Sequence, residues 1–328
     1  MRPTLRSGET IAVFSPSYPI TAEVPVRYER GRNYLVSRGF TVVEGTLTGK
    51  SDHYRSGTIR ERVDEVNTLI RDPEVRCMMS SIGGTNSNSL LPYLDYEAFA
   101  DDPKVVIGAS DVTAILLALY AKTGVITYYG PAMVASFGEF PPLVDVTFER
   151  MMDAIGDDSP RPLTLPNPQE WTEERIPWLT QDRAKTCQPN QLRTLRAGSA
   201  EGRLIGGNLN TMSAIWNTPY MPQIRKGDIL LIEDSMKDIA TVERLFALLK
   251  CANVFGILGG LILGKHELFD DAGTGRAPSD VLLEVLDGEG AFPILADYDC
   301  CHTHPMLTLP IGGQVHLDAD EQTVTLLD

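Results

Sequence analysis

Short apolar runs recur along the chain, each ended by a turn of small residues and followed by a stretch with helical spacing. Ile11-Ala12-Val13-Phe14 runs into Ser15-Pro16-Ser17, residues from about 23 to 38 have helical spacing and stop at Gly39, and Phe40-Thr41-Val42-Val43 starts again as strand. Ile59 to Ile70 repeats the helical pattern, and Val75 to Ser80 and Val105-Val106-Ile107 read as further buried strands. Strands apolar on both faces, with helices between them, predict a mainly parallel sheet covered by helices.

The rhythm breaks between about 157 and 200, where Pro160, Pro162, Pro166, Pro168, Pro177 and Pro189 fall among polar residues. An irregular segment of that length inside a compact protein is a linker or a functional loop. Beyond it, Ile229 to Ile232, Ile257 to Leu263 and Pro293 to Leu295 read as buried strands, with Ala240 to Leu249 helical between the first two. Gln314 to Asp318 and Thr323 to Leu327 predict a closing hairpin. The 328 residues are enough for two modest domains, each with its own core. The expected division is an N-terminal α/β domain over 1–165, a linker and substrate loop over 166–198, and a C-terminal α/β domain over 199–328.

Charge and cysteine usage exclude several functions. A formal charge of −15 argues against nucleic-acid binding, which needs clustered Lys and Arg to neutralise phosphates, so an anionic ligand would require its own local cation. The five cysteines are odd in number, scattered and without CxxC spacing, which fits neither a disulfide framework nor a thiolate zinc site. Met1 to Gly8 is followed by no apolar h-region, and no run of 18 apolar residues occurs, so neither a signal peptide nor a membrane span is expected. A reducing cytoplasm is the expected location.

Chemistry concentrates at strand ends. Val105 to Leu116 is a buried strand, a tight turn Gly108-Ala109-Ser110-Asp111, and then a helix. Such a turn lifts a serine hydroxyl to the sheet edge, with backbone N–H groups at the helix start facing a developing oxyanion. The second glycine of G-x-S-x-G is missing, and Ser110 or Asp111 also suits a plain helix cap. Ser80 to Asn88 contains Gly83-Gly84, which permits close backbone approach and an additional oxyanion donor. Of five histidines, His302 and His304 stand in a loop after a strand. A His-x-His pair also chelates zinc, but no third and fourth ligand is apparent, so no metal and no cofactor is expected. Glu233 ends the Ile229 to Ile232 strand where a carboxylate orienting a histidine belongs, with Asp234 competing.

Taken together, Gly8 to Ser17, Ile82 to Asn88, Gly108 to Asp111, Gly202 to Leu209, Leu231 to Ser235 and His302 to Gly312 resemble the LD-carboxypeptidase family of serine peptidases, and within it the microcin C immunity branch. The resemblance spans nearly the whole chain. It implies a two-domain α/β protein, with a nucleophile elbow in the N-terminal domain and the glutamate and histidine in the C-terminal one. Carried over residue by residue, Ser110 is the nucleophile, His302 the general base and then acid, and Glu233 the residue orienting the imidazole. Gly83, Gly84 and Asp111 supply the oxyanion donors, and a homodimer is implied.

The family divides between murein LD-carboxypeptidases, which remove terminal D-alanine from muropeptides, and immunity peptidases, which cut the amide between a peptidyl or aminoacyl group and a nucleotide. Three features resemble the second branch. The Gly83-Gly84 turn carries Thr85-Asn86-Ser87-Asn88, the irregular loop holds Trp171 and Trp178 as candidates to stack on a nucleobase, and Lys237 and Glu267 stand at matching spacings from Glu233. Base stacking on an aromatic is worth roughly 1–3 kcal/mol. Asn86, Trp178, Asn210, Lys237 and Glu267 are the expected substrate-binding residues.

Overall fold

The computed structural model describes residues 1–328 as two sheets joined through one continuous apolar core. The first sheet has six strands in the order Leu309–Ile311, Thr127–Tyr129, Val105–Gly108, Val75–Ser80, Thr10–Phe14 and Thr41–Glu44. Its pairings are parallel except at Leu309–Ile311, which comes from the far end of the chain and runs antiparallel to Thr127–Tyr129. The strand interiors are almost wholly buried, as their unbroken apolar sequences require.

Helices return the chain between these strands. Ile59–Arg71 begins with a capping box, in which the Thr58 side chain accepts the Glu61 N–H and the Glu61 carboxylate accepts the Thr58 N–H. The helix expected over about 23 to 38 is two helices, Ile20–Glu23 and Pro25–Ser37. The break falls at Val24, because the ring of Pro25 disfavours helical backbone in the residue before it. Thr113–Thr123 is buried from Thr113 through Leu119, because it is packed between the Val105–Gly108 strand and the second sheet.

The second sheet has eight strands in the order Leu163–Thr164, Thr323–Leu326, Gln314–Asp318, Ser199–Asn208, Ile229–Glu233, Gly260–Gly264, Ile294–Tyr298 and Arg193–Arg196. Its four central strands from Ser199–Asn208 to Ile294–Tyr298 are parallel, and the closing hairpin pairs antiparallel beside them. Two strands differ from expectation. The one expected from Ile257 starts at Gly260, since Ile257 and Gly259 bond the turn at Gly227 and Asp228, and the one expected over Pro293 to Leu295 runs Ile294–Tyr298. The proline-rich stretch is only partly irregular. It adds edge strands to this sheet and forms a two-stranded ribbon, Glu170–Trp171 with Gln188–Pro189.

The sheets meet at Gly207, whose φ of 138° lies in the region that glycine tolerates. A Cβ there would stand 2.8 Å from the Thr113 side chain and 3.1 Å from the Tyr129 ring, so the missing side chain is what brings the second sheet against the elbow helix.

Candidate active site

Ser110 begins a single 3-10 turn, Ser110–Val112, between the Val105–Gly108 strand and the Thr113–Thr123 helix. Its φ is 61°, the strained backbone of a nucleophile elbow. The helix-cap alternative does not describe this turn: neither Ser110 nor Asp111 makes a side-chain cap, and the Asp111 carboxylate instead accepts the Ser87 N–H at 2.8 Å. That bond ties the Gly83-Gly84 turn to the elbow. A Cβ at Gly83 would lie 2.6 Å from Ser110 Cβ, 2.9 Å from its Oγ and 3.0 Å from the Asp111 nitrogen, so only glycine allows the two turns to approach this closely.

Glu233 ends the Ile229–Glu233 strand, fully buried. His302 Nδ1 is 2.6 Å from its Oε2, and Oε1 accepts from the Tyr129 hydroxyl at 2.6 Å and from Asn208 Nδ2 at 2.9 Å. Asn208 is in place because the parallel register sets it directly opposite Glu233. The Tyr129 hydroxyl also accepts the Ser110 N–H at 3.1 Å, which links the elbow to the carboxylate of the other sheet. Tyr129 and Asn208 are residues that sequence reasoning missed. Only the Asn208 in Gly202 to Leu209 carried a signal, and nothing local marked Tyr129.

Burial opposes a positive His302, but the charge and hydrogen bond of Glu233 outweigh it and push the imidazole up to about 9. Burial likewise opposes the Glu233 charge, and His302, Tyr129 and Asn208 together hold its carboxyl below the ordinary range. Asp234, the competing carboxylate, accepts from Asn208, Asn210 and Ser235. It makes no bond to His302. His304 packs against Glu139, and burial with Lys185 nearby pushes it down to about 3, so its ring is neutral.

A cavity of about 550 Å³ opens over these groups, lined by Ser110, His302, Gly83, Gly84, Trp178 and Glu267 among others. Ser110 Oγ and His302 face it without a hydrogen bond between them, a looseness common in unliganded sites. Trp178 lines it with the Arg27 guanidinium 4.8 Å from its ring centre, whereas Trp171 packs under Lys265 outside it. Glu267 Oε2 accepts the Ser235 hydroxyl at 2.5 Å.

Three expected substrate contacts do not line the cavity. The Asn86 side chain is taken up by Arg62, at 2.6 Å, and by Ser17, so it holds the glycine turn. Asn210 and Lys237 sit around Asp234, the Lys237 amine 3.7 Å from Asp234 and bonded to the Ser235 carbonyl. No group of three or more His, Cys, Asp or Glu side chains is placed to hold a metal, all five cysteines are free thiols, and no helix is long and apolar enough to cross a membrane.

The model of the LD-carboxypeptidase N-terminal domain matches residues 11–130, and that of the C-terminal domain matches 201–317. The chain belongs to the LD-carboxypeptidase family. Within this family of serine peptidases it is 50% identical to the Microcin C7 self-immunity protein MccF of Escherichia coli, over 99% of this chain and 94% of MccF. A Vibrio cholerae protein with a provisional carboxypeptidase name is 55% identical, over 99% of this chain and 96% of its own. The murein tetrapeptide carboxypeptidase of Pseudomonas aeruginosa is 25% identical over 78% of this chain and 76% of its own. Solved structures of MccF superpose with a TM-score of 0.97 over 100% of this chain and 98% of theirs, among them complexes with aspartyl sulfamoyl adenosine and glutamyl sulfamoyl guanosine. The two-domain α/β architecture is thus that of MccF.

Proposed function

We propose that this LD-carboxypeptidase family member hydrolyses the amide between a peptidyl or aminoacyl group and a nucleotide, through an acyl-enzyme on Ser110. One observation carries the reading: the bonded series from the Ser110 N–H through Tyr129 and Glu233 to His302, with Ser110 and His302 facing one cavity beside Trp178. Ser110 Oγ attacks the carbonyl while His302 Nε2 takes its proton. The oxyanion forms against the Asp111 N–H and the Gly83-Gly84 turn, where each donor is worth about 3 kcal/mol. His302 then protonates the leaving nitrogen as the C–N bond breaks, and a water, deprotonated by the same imidazole, releases the acid from the ester. In the neutral imidazole Glu233 keeps the proton on Nδ1 and so leaves Nε2 free to act as the base.

The choice of nucleotide substrates rests on Trp178, which lines the cavity, and on kinship with MccF, whose structures hold aminoacyl sulfamoyl nucleosides. One MccF structure described as an active-site mutant replaces a serine, an asparagine and a lysine. Ser110, Asn210 and Lys237 are residues of those types at or beside this cavity, and we assign the last two to the nucleoside end. Such an activity detoxifies aminoacyl-nucleotide antibiotics. We further propose a cytoplasmic homodimer, for which light scattering should give twice the 36.0 kDa chain mass.

Parallel assays on aspartyl sulfamoyl adenosine and a muropeptide tetrapeptide test the reading. The expected result is preference for the nucleoside, lost in Trp178→Ala, and no turnover in Ser110→Ala. Preference for the tetrapeptide, indifferent to Trp178, would establish the murein activity named for the Pseudomonas relative instead. Full turnover by Ser110→Ala would remove the triad, and tight binding without turnover by the native chain would make it a silent binder.

A further inference from the structure

The cavity wall next to His302 contains a buried cluster whose charges do not balance. Arg27 and Glu139 form an ion pair at 2.7 Å with both side chains fully buried. Gln181 Nε2 donates to the other Glu139 oxygen at 2.8 Å, and Lys185 Nζ lies 3.2 Å from Glu139 Oε1 with its side chain only 6% exposed. His304 is neutral there, so two cations face one carboxylate. Arg30 bonds the Gln181 carbonyl, and the other carboxylates lining the cavity are Glu174, which is paired with Arg183, and Glu267, which accepts the Ser235 hydroxyl.

Glu139 is shared: its Oε1 receives Arg27 at 2.7 Å and lies 3.2 Å from the Lys185 amine, and its Oε2 receives Gln181, so its single charge answers two cations. An ammonium has three donors, and Lys185 has only the single contact to Glu139. Lys185 itself lines the cavity with Ser110 and His302, whereas Arg27 does not. A buried charge left partly unpaired is unfavourable until a counter-ion arrives. We infer that Lys185 is the specificity residue that reads a negative charge on the acyl side of the substrate, its amine placed by Glu139, which Arg27 in turn fixes. Resting as it does on the aminoacyl-nucleotide reading, this assigns to one residue the choice between acidic and neutral acyl groups. Lys185 touches no reacting atom, so its loss changes which substrate is selected and not how the bond is cut.

The test compares aspartyl with asparaginyl sulfamoyl adenosine, which match in shape and differ in charge. The native enzyme is expected to favour the aspartyl compound at least tenfold in kcat/KM. Lys185→Met keeps the apolar stem and leaves Glu139 paired with Arg27. It should lose at least tenfold on the aspartyl substrate and stay within twofold on the asparaginyl one, and Lys185→Arg should keep much of the preference. Equal losses on both substrates would make Lys185 a loop anchor and overturn the inference. Calorimetric binding of both compounds to Ser110→Ala covers the case of a poorly folded Lys185 variant: equal affinities overturn it too. If the native enzyme cleaves both without preference, the inference alone fails. If it neither binds nor cleaves either, the nucleotide reading fails and takes the inference with it.

Discussion

Replacing Tyr129 by phenylalanine removes one oxygen and leaves the ring, which is fully buried between the two sheets. The lost hydroxyl is a 2.6 Å donor to the buried Glu233 carboxylate, and a hydrogen bond to a charged group is worth about 1.5–3 kcal/mol. It is also the acceptor of the Ser110 N–H at 3.1 Å, and an orphaned buried donor costs about 1–3 kcal/mol. The two losses share one atom and overlap, so the expected destabilisation is about 3 kcal/mol in urea unfolding at constant m. The kinetic effect follows from the charge. With Tyr129 gone, Glu233 Oε1 keeps only Asn208, and more of the carboxylate's field falls on the imidazolium. His302, already at about 9, therefore moves higher. If about 1.4 kcal/mol is transferred, the acid limb of kcat/KM shifts up by about one pH unit. The phenylalanine variant should then lose about tenfold in kcat/KM at pH 7 and progressively less as the pH approaches 10, with KM little changed. A loss equal at every pH, or a limb that moves down, would show that Tyr129 only packs, and unchanged stability would refute the two-bond accounting.

If His302 is the base it must be neutral, so kcat/KM should rise about tenfold per pH unit through neutral pH, reach half its maximum near pH 9 and level off above it; a limb near 6.5 would mean that Glu233 does not charge-pair with His302 in solution. Because the folded His302 pKa is raised, its contribution to stability is complete below pH 6.5 and disappears as the pH rises to about 9, which urea midpoints across that window will show. Gly83→Ala puts a methyl 2.6 Å from Ser110 Cβ, forcing a shift of the order of 1 Å and a loss of about 100-fold in kcat/KM with the fold retained. Arg27→Met leaves Glu139 with Lys185 and Gln181 but breaks a fully buried pair, with an expected cost of about 3–5 kcal/mol by thermal or urea unfolding.

The first sheet was legible because its strands are apolar on both faces and each is ended by small residues, as in Val105–Gly108 before Ala109-Ser110. Thr127–Tyr129 and Leu309–Ile311 were not, because three residues carry no periodicity, and Leu309–Ile311 pairs with a strand about 180 residues away, far beyond what local pattern reports. Ser199–Asn208 begins with exposed polar positions and two of its buried ones are glycines, so it lacked the apolar signature of its neighbours. The same contrast runs through the site. Ser110, Glu233 and His302 stand at or just after strand ends, where the local sequence offered each beside a rival and the family resemblance chose among them. Asn86 was expected as a ligand from the resemblance of its turn to the immunity branch, but whether such a side chain faces out or in depends on Arg62, a buried guanidinium from a distant helix. Lys185 was hidden in the proline-rich segment, where charge suggests solvent and only tertiary packing buries it.

Ser110 belongs to one sheet and Glu233 to the other, so the site is only as precise as the junction between them. The loop carrying His302 leaves the second sheet after Ile294–Tyr298 and enters the first at Leu309–Ile311, and is thus fixed at both ends to different sheets. Gly207 against Thr113 and Tyr129 sets the spacing from one side, and the Tyr129 hydroxyl bonds across it. A hinge at this junction would move Ser110 and His302 apart together with their supports. The buried elbow helix, packed on both sheets, argues that the two units hold one geometry. The part outside this junction is the 174–185 segment, which bears both Trp178 and Lys185 and is held to the body by the Arg27–Glu139 cluster, by Arg30 at the Gln181 carbonyl and by Arg175 at Met236. Under the proposed function, substitutions in that segment should change substrate range while leaving the Ser110–Glu233–His302 geometry in place.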